Sequence, residues 1–220
     1  MCVSSACTDL CGGRWVTGVP TATIPDLLKV YGEEFFREWG AGNEKYVETA
    51  RVITEVLYRE FQPRKLADIG SGCGVYSRFF RDHGAEVVSI DAVKPPVEYS
   101  FPGLVEIRDL RTPFANVWDP FDMALCLEVA EHIPEESADV FLGNIAALSD
   151  LQVFSHAPPR QGGTGHVNEQ PKRYWIAKMA AHGFAYDRPR TGVLMETFKR
   201  EKPPFMWMTE HICVFRRKGR

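Results

Sequence analysis

Leu66-Ala67-Asp68-Ile69-Gly70-Ser71-Gly72-Cys73-Gly74-Val75 is the stretch that decides the fold. A short apolar run, expected to form a buried strand, enters a turn with a glycine at every second position. An amphipathic run follows directly from Val75. Positions without a side chain let the backbone approach a ligand closely and take positive φ. A helix starting after Gly74 would aim its free N–H groups at the same place. In an open α/β sheet such a turn lies at the carboxyl ends of the strands, beside the switch point where ligands bind.

Outward from this turn, short apolar runs alternate with helical patterns. Strands are expected at 65–70, 86–91, 104–109, 121–127 and 151–156, with less regular closing strands at 185–188 and 208–216. Helices are expected at 75–82, 137–148 and 171–182, the first stopped by His83-Gly84. Parallel strands need crossover helices, so the alternation predicts an α/β fold with a doubly wound, mostly parallel, seven-stranded sheet. Upstream, Leu27, Val30, Tyr31, Phe35, Phe36 and Trp39 recur at helical spacing from Asp26, with Gly40 and Gly42 as a stop. Asn43 can cap a second helix whose apolar face carries Tyr46, Val47, Ala50, Ile53, Val56 and Leu57, ended by Pro63. The expected organisation is an irregular N-terminal segment and helical cap over 1–62, followed by one ligand-binding unit over 63–220.

A dinucleotide-binding turn, G-x-G-x-x-G counted from Gly70, would need glycine where Val75 stands, so that pattern fails. The string present is D-x-G-x-G-x-G. With strand, acid, glycines and helix in this order, it resembles the first signature motif of the class I (Rossmann-like) S-adenosylmethionine-dependent methyltransferases. The resemblance implies the fold, a methyl-transfer activity and S-adenosylmethionine as cofactor, cradled by Asp68, Gly70, Ser71, Gly72 and Gly74. It also implies that Asp91, about 20 residues on at a strand end, accepts the ribose hydroxyls, with Ala92 beside it. Asp109 would meet the adenine amine and Leu110 the ring, although Arg108-Asp109 also reads as a surface ion pair. Phe121–Val129 resembles the segment under the methionine part of the cofactor, which brings Glu128 and Val129 to it. The resemblance spans about residues 65–156.

Methyl transfer is an in-line displacement that needs a positioned acceptor and often a base. Glu128-Val129-Ala130-Glu131-His132-Ile133-Pro134 follows the fourth strand. If helical there, Glu128, Glu131 and His132 share a face, and His132 is a candidate general base. Equally, Glu131 and His132 could only cap the next helix. Glu-x-x-Glu-His resembles the metal-assisted subset of the fold, which includes ubiquinone-pathway O-methyltransferases and small-RNA 2′-O-methyltransferases. That resemblance implies a divalent metal as a candidate cofactor, with His156 or His166 completing the set. The string also occurs in relatives without metal, so its ligands stay open. The polar, glycine-rich loop over 155–171 is read as closing on substrate, with His166 a second catalytic candidate and Asn168 and Gln170 as further donors. Tyr174 and Trp175 read as helix packing, while Phe205 and Trp207 could roof a pocket.

The formal net charge of −3 supplies no general attraction for nucleic acid, and no apolar run is long enough to span a bilayer, so neither is an expected partner. The basic pairs Lys199-Arg200 and Arg216-Arg217, with Lys218 and Arg220, are local. A start without a charged, apolar leader predicts a cytoplasmic protein with reduced cysteines, and Cys2, Cys7 and Cys11 fit no zinc spacing. The expected function is O-methylation of a small-molecule acceptor. The alternatives are a metal-assisted RNA 2′-O-methyltransferase and a catalytically silent protein that binds the cofactor.

Overall fold

The computed structural model describes residues 24–219, so the reading of the first residues, with Cys2, Cys7 and Cys11, lies outside the described part, as does Arg220. Seven strands form one sheet: β1 (Lys65–Ile69), β2 (Glu86–Asp91), β3 (Val105–Ile107), β4 (Met123–Cys126), β5 (Leu151–Phe154), β6 (Phe184–Tyr186) and β7 (Cys213–Arg217). Their order is β3-β2-β1-β4-β5-β7-β6. All neighbours are parallel except β7, which runs antiparallel between β5 and β6. The chain reverses its direction of winding between β1 and β4, and the carboxyl ends of these two strands open the crevice in which this architecture binds ligands.

Both faces of the sheet are covered, so its strands are apolar throughout rather than alternating. Leu66, Met123, Leu125 and Val153 point to one face. There they meet Ala50, Ile53 and Leu57 of α3 (Glu44–Phe61), Phe80 of α4 (Val75–Asp82) and Leu194 and Phe198 of α7 (Arg188–Glu201). Ala67, Ile69, Ala124, Cys126 and Phe154 point to the other. They pack on Phe141, Leu142 and Ile145 of α5 (Ala138–Ala146) and on Trp175 and Met179 of α6 (Lys172–Ala181). Each fully buried Phe or Leu in these layers contributes about 1.5–3 kcal/mol by leaving water.

The helix upstream of β1 starts as its sequence predicts: Asn43 Oδ1 accepts the Tyr46 N–H at 3.2 Å. It ends at Gln62 in the left-handed region, one residue before Pro63. Three readings are corrected. The single helix expected from Asp26 to Trp39 is two short ones, α1 (Ile24–Val30) and α2 (Glu33–Glu38), because Gly32 adopts extended backbone between them. The closing strand expected at 208–216 begins only at Cys213, after a 3-10 turn at Met206–Thr209. Arg188, expected in a strand, opens α7, a helix the periodicity reading passed over. Its cap was visible: Asp187 accepts the Arg190 N–H, Pro189 sits in the first turn, and Thr191, Leu194 and Phe198 form the buried stripe.

Candidate active site

The glycine turn is held by its neighbours. The N–H groups of Gly70 and Ser71 both donate to the Ile90 carbonyl, at 2.8 and 3.1 Å, which pins the turn to the end of β2. Gly70 has φ +69°, and a Cβ there would collide with Val129, whose Cγ1 and Cβ would lie at 3.1 and 3.2 Å from it. Glycine at 70 is therefore required twice, for backbone sign and for room. Gly74 is the left-handed N-cap of α4 and stands just outside the cavity lining.

Above this turn lies a cavity of about 760 Å³. Asp68, Gly70, Ser71, Gly72, Asp91, Ala92, Asp109, Leu110, Glu128 and Val129 all line it, together with His132 and His166. The Asp91 carboxylate accepts the Gly72 N–H at 2.8 Å through Oδ2 and the Val93 N–H at 2.9 Å through Oδ1. Burial raises its pKa, against the lowering effect of these backbone donors. Asp68 is raised to about 6, chiefly by burial, while a 2.6 Å hydrogen bond from Ser77 acts the other way. Asp109 is buried and takes a two-pronged grip from the Arg111 guanidinium, at 2.9 and 2.8 Å. The surface pair Arg108-Asp109 is thus replaced by Asp109-Arg111, and Arg108 pairs with Glu106 instead.

After β4 the chain does not turn α-helical. Glu128 stands at φ +56°, a strained position for a side-chain-bearing residue, and only Ala130–His132 form a 3-10 turn. Pro134 explains the interruption, since it keeps Ile133 extended. Glu128 is held by Ser155: its N–H donates to Ser155 Oγ at 2.7 Å, and that hydroxyl donates back to Glu128 Oε1 at 2.6 Å. Burial lifts the Glu128 carboxyl to about 7. Glu131 is fully buried, with no hydrogen-bonding partner on either carboxyl oxygen, and burial and Glu128 push its pKa well up.

Glu131, His132 and His166 each offer a ligand atom, and these atoms lie within 4.8 Å of one another. The imidazoles of His132 and His166 meet edge to face at 5.0 Å. His132 Nδ1 lies 3.2 Å from the Gly165 carbonyl, so Nδ1 carries the proton and Nε2 keeps its lone pair. Burial, with His166 adjacent, lowers the His132 pKa to about 4, which keeps the ring neutral. A neutral, weakly basic imidazole suits a ligand better than a general base. Of the two histidines considered for completing the group, the fold brings His166 and leaves His156 apart, buried beside His211 at 5.4 Å between ring centres. Asn168 is buried outside the cavity, where its Oδ1 accepts from Gln170.

Sequence reasoning missed most of the chamber's far wall. Tyr31, Phe35 and Trp39, from α1, α2 and their junctions, line it, as do Arg160 and His211. Tyr31 packs edge-on against Phe35 at 5.0 Å and His132 at 5.7 Å. Trp207 does line the chamber, 6.0 Å from Trp39, whereas Phe205 lies outside the lining, edge to face with Trp39 at 6.2 Å. Their apolar spacing in the sequence reads equally well as core, which is why the wall was not legible. Three basic residues of the C-terminal part are paired within the chain: Lys199 with Glu196, Arg216 with Asp187 and Arg217 with Asp150. Among the described residues no helix is long and apolar enough to cross a membrane.

No protein-family model matches the chain. It is similar to the ubiquinone biosynthesis O-methyltransferase of Stutzerimonas stutzeri strain A1501, with 28% identity over 126 residues, 54% of this chain and 50% of that protein. The protein of the same name from Pseudomonas aeruginosa strain PAO1 is 25% identical over 155 residues, 67% of this chain and 63% of its own length. The chain thus spans about half the length of the first of these relatives. Among solved structures, the 1,6-didemethyltoxoflavin N1-methyltransferase of Burkholderia thailandensis, with S-adenosylhomocysteine bound, superposes with a TM-score of 0.57 at 17% identity, covering 91% of this chain and 92% of that one. The magnesium protoporphyrin IX methyltransferase of Synechocystis PCC 6803 gives 0.52 at 18%, covering 76% and 87%. This chain has the class I S-adenosylmethionine-dependent methyltransferase fold, and in sequence it resembles the ubiquinone-pathway O-methyltransferases.

Proposed function

We propose that the protein is an S-adenosylmethionine-dependent methyltransferase acting on a hydroxyl of a small molecule. The observation that carries the reading is the cavity over the glycine turn, whose lining brings Gly70, Gly72 and Asp91 together with His132 and His166. Asp91 spends one lone pair of each oxygen on the backbone and has others left for a vicinal diol, which fits a ribose. Asp68 and Glu128 give the floor the acidic character that a sulfonium favours. The O-methyltransferase names of the relatives support oxygen as the acceptor atom. In the reaction, the acceptor oxygen attacks the methyl carbon in line, the carbon–sulfur bond breaks, and the hydroxyl proton leaves to a base or solvent.

A divalent cation fits the acceptor end. The two unpartnered, buried oxygens of Glu131 and the Nε2 lone pair of His132 make a mixed oxygen and nitrogen set, with His166 beside them. Glu131, His132 and His166 would hold the ion. When bound, it would lower the pKa of an acceptor hydroxyl and fix its place. Burying a carboxylate with no partner is costly, and an ion is what would offset that cost.

The test is calorimetry with S-adenosylhomocysteine, followed by methyl-transfer assays against a panel of hydroxylated small molecules with and without EDTA. Binding with turnover that EDTA abolishes is expected. Binding without turnover across the panel would favour the silent protein, and full activity after chelation would remove the cation. Folded protein that takes up no S-adenosylhomocysteine would overturn the reading.

A further inference from the structure

The loop between β5 and α6 is organised around one carboxylate. Glu169 Oε2 accepts the Arg160 N–H at 2.6 Å, and Oε1 accepts the Gly162 N–H at 2.6 Å. Arg160 and Gly162 both have φ +72°, so the chain wraps back over the acid in left-handed steps. Residues 158–164, which this wrap shapes, line the chamber. The same Oε1 lies 3.0 Å from His166 Nδ1. A carboxylate can only accept, so His166 Nδ1 must carry a proton, and in the neutral ring Nε2 then keeps the lone pair.

Two further observations fix the ring. A Cβ at Gly163 would lie 2.6 Å from His166 Cε1 and 2.7 Å from Cδ2, so the imidazole rests directly on a position with no side chain. The loop is also stitched to the Glu-x-x-Glu-His turn, since the N–H groups of Val167 and Asn168 both donate to the Glu131 carbonyl, at 2.9 and 3.0 Å.

On the reading of this cavity given above, we propose that Glu169 is a positioning residue that sets the tautomer of His166 and, through the same carboxylate, ties it to the closed shape of the acceptor loop. An acceptor loop that opens must release the Arg160 and Gly162 amides from Glu169, and His166 then loses the group that orients it. Closure and readiness of the histidine are one event. Outer partners of this kind change the affinity of a ligand histidine by about tenfold to a hundredfold when removed.

The experiment compares wild type with Glu169→Leu in the full chain, using protein labelled with 15N at histidine. The chain has six histidines, and His166→Gln identifies the signal of interest. Wild type should show His166 protonated at Nδ1. In Glu169→Leu no acceptor faces Nδ1, so the proton should move to Nε2 or exchange between the nitrogens; Glu169→Gln, whose carbonyl oxygen can serve both Gly162 and His166, should keep the Nδ1 tautomer. Co2+ affinity in Glu169→Leu, read from its visible absorption, should fall about tenfold to a hundredfold. S-adenosylhomocysteine affinity should stay within about twofold, because Glu169 does not touch the glycine turn. Gly163→Ala, which disturbs the ring without altering Glu169, should reproduce the loss of Co2+ affinity, and if Glu169→Leu does not fold, the wild-type tautomer and its retention in Glu169→Gln still decide the role of Glu169. An unchanged His166 tautomer in Glu169→Leu, or Nε2 protonation in wild type, overturns the proposal. Wild type that binds S-adenosylhomocysteine but no Co2+ overturns the cation reading alone, and the tautomer comparison still decides the role of Glu169.

Discussion

Replacing Gly70 with alanine separates two costs that the structure assigns to one position. Alanine at φ +69° costs about 1–2 kcal/mol for the left-handed backbone. Its Cβ must also displace Val129, an overpacking cost of about 1–3 kcal/mol. Gly70→Ala alone should therefore destabilise the protein by about 2–5 kcal/mol and sharply weaken S-adenosylhomocysteine binding. Val129→Ala alone removes two methyl groups and should cost about 2 kcal/mol. Together the two changes should cost less than their sum by about 1–3 kcal/mol, since the smaller residue at 129 makes room, while the backbone cost stays. The assay is urea denaturation of all four proteins at constant slope, with calorimetry for the ligand. Strictly additive costs would mean that Gly70 and Val129 do not touch. A Gly70→Ala cost below about 0.5 kcal/mol would refute the assigned turn.

Asp91→Asn leaves one accepting oxygen for two backbone N–H groups and should weaken S-adenosylhomocysteine binding about tenfold to a hundredfold, as expected for loss of a charge-assisted hydrogen bond; unchanged calorimetric affinity would refute the ribose role. Asp68 titrates near 6 when folded, against an ordinary 3.8, so its stabilising effect is complete below about pH 4 and is lost as pH rises through 6. Asp68→Asn should accordingly gain stability relative to wild type, by up to about 3 kcal/mol between pH 4 and 7 in ligand-free protein, and a flat difference would refute the assigned burial. Glu131→Gln should melt no lower than wild type at pH 8 without added cation, because it removes a buried, unpartnered acid, and yet should abolish Co2+ uptake. A lower melting temperature or retained Co2+ uptake would count against that role.

The floor of the cavity was legible because its physics is local. Glycines at alternate positions, an acid before them and an acid at the next strand end are constraints of backbone sign and short-range hydrogen bonding. The sheet was legible for a similar reason, since strands buried on both faces leave continuous apolar runs. What was not legible depends on distant contacts. Tyr31, Phe35 and Trp39 look like core stripes until the fold turns them over the cavity. The pairing of Glu131 and His132 with His166 rather than His156 depends on how the loop after β5 folds back, which Gly163, Gly165 and Glu169 decide together. The strained backbone at Glu128 gives no sign in the sequence, because glycine or asparagine would be the expected residue there.

The aromatic wall has a consequence for how preference among acceptors is encoded. The floor belongs to the turns after β1, β2 and β4, whereas Tyr31, Phe35 and Trp39 stand on or beside the short helices α1 and α2, outside the sheet. This aromatic part of the chamber wall is therefore written in a different part of the chain from the glycine cradle. On the proposed function, grafting a different segment across 27–39 would refit that wall to another molecule's outline while the glycine turn carried over.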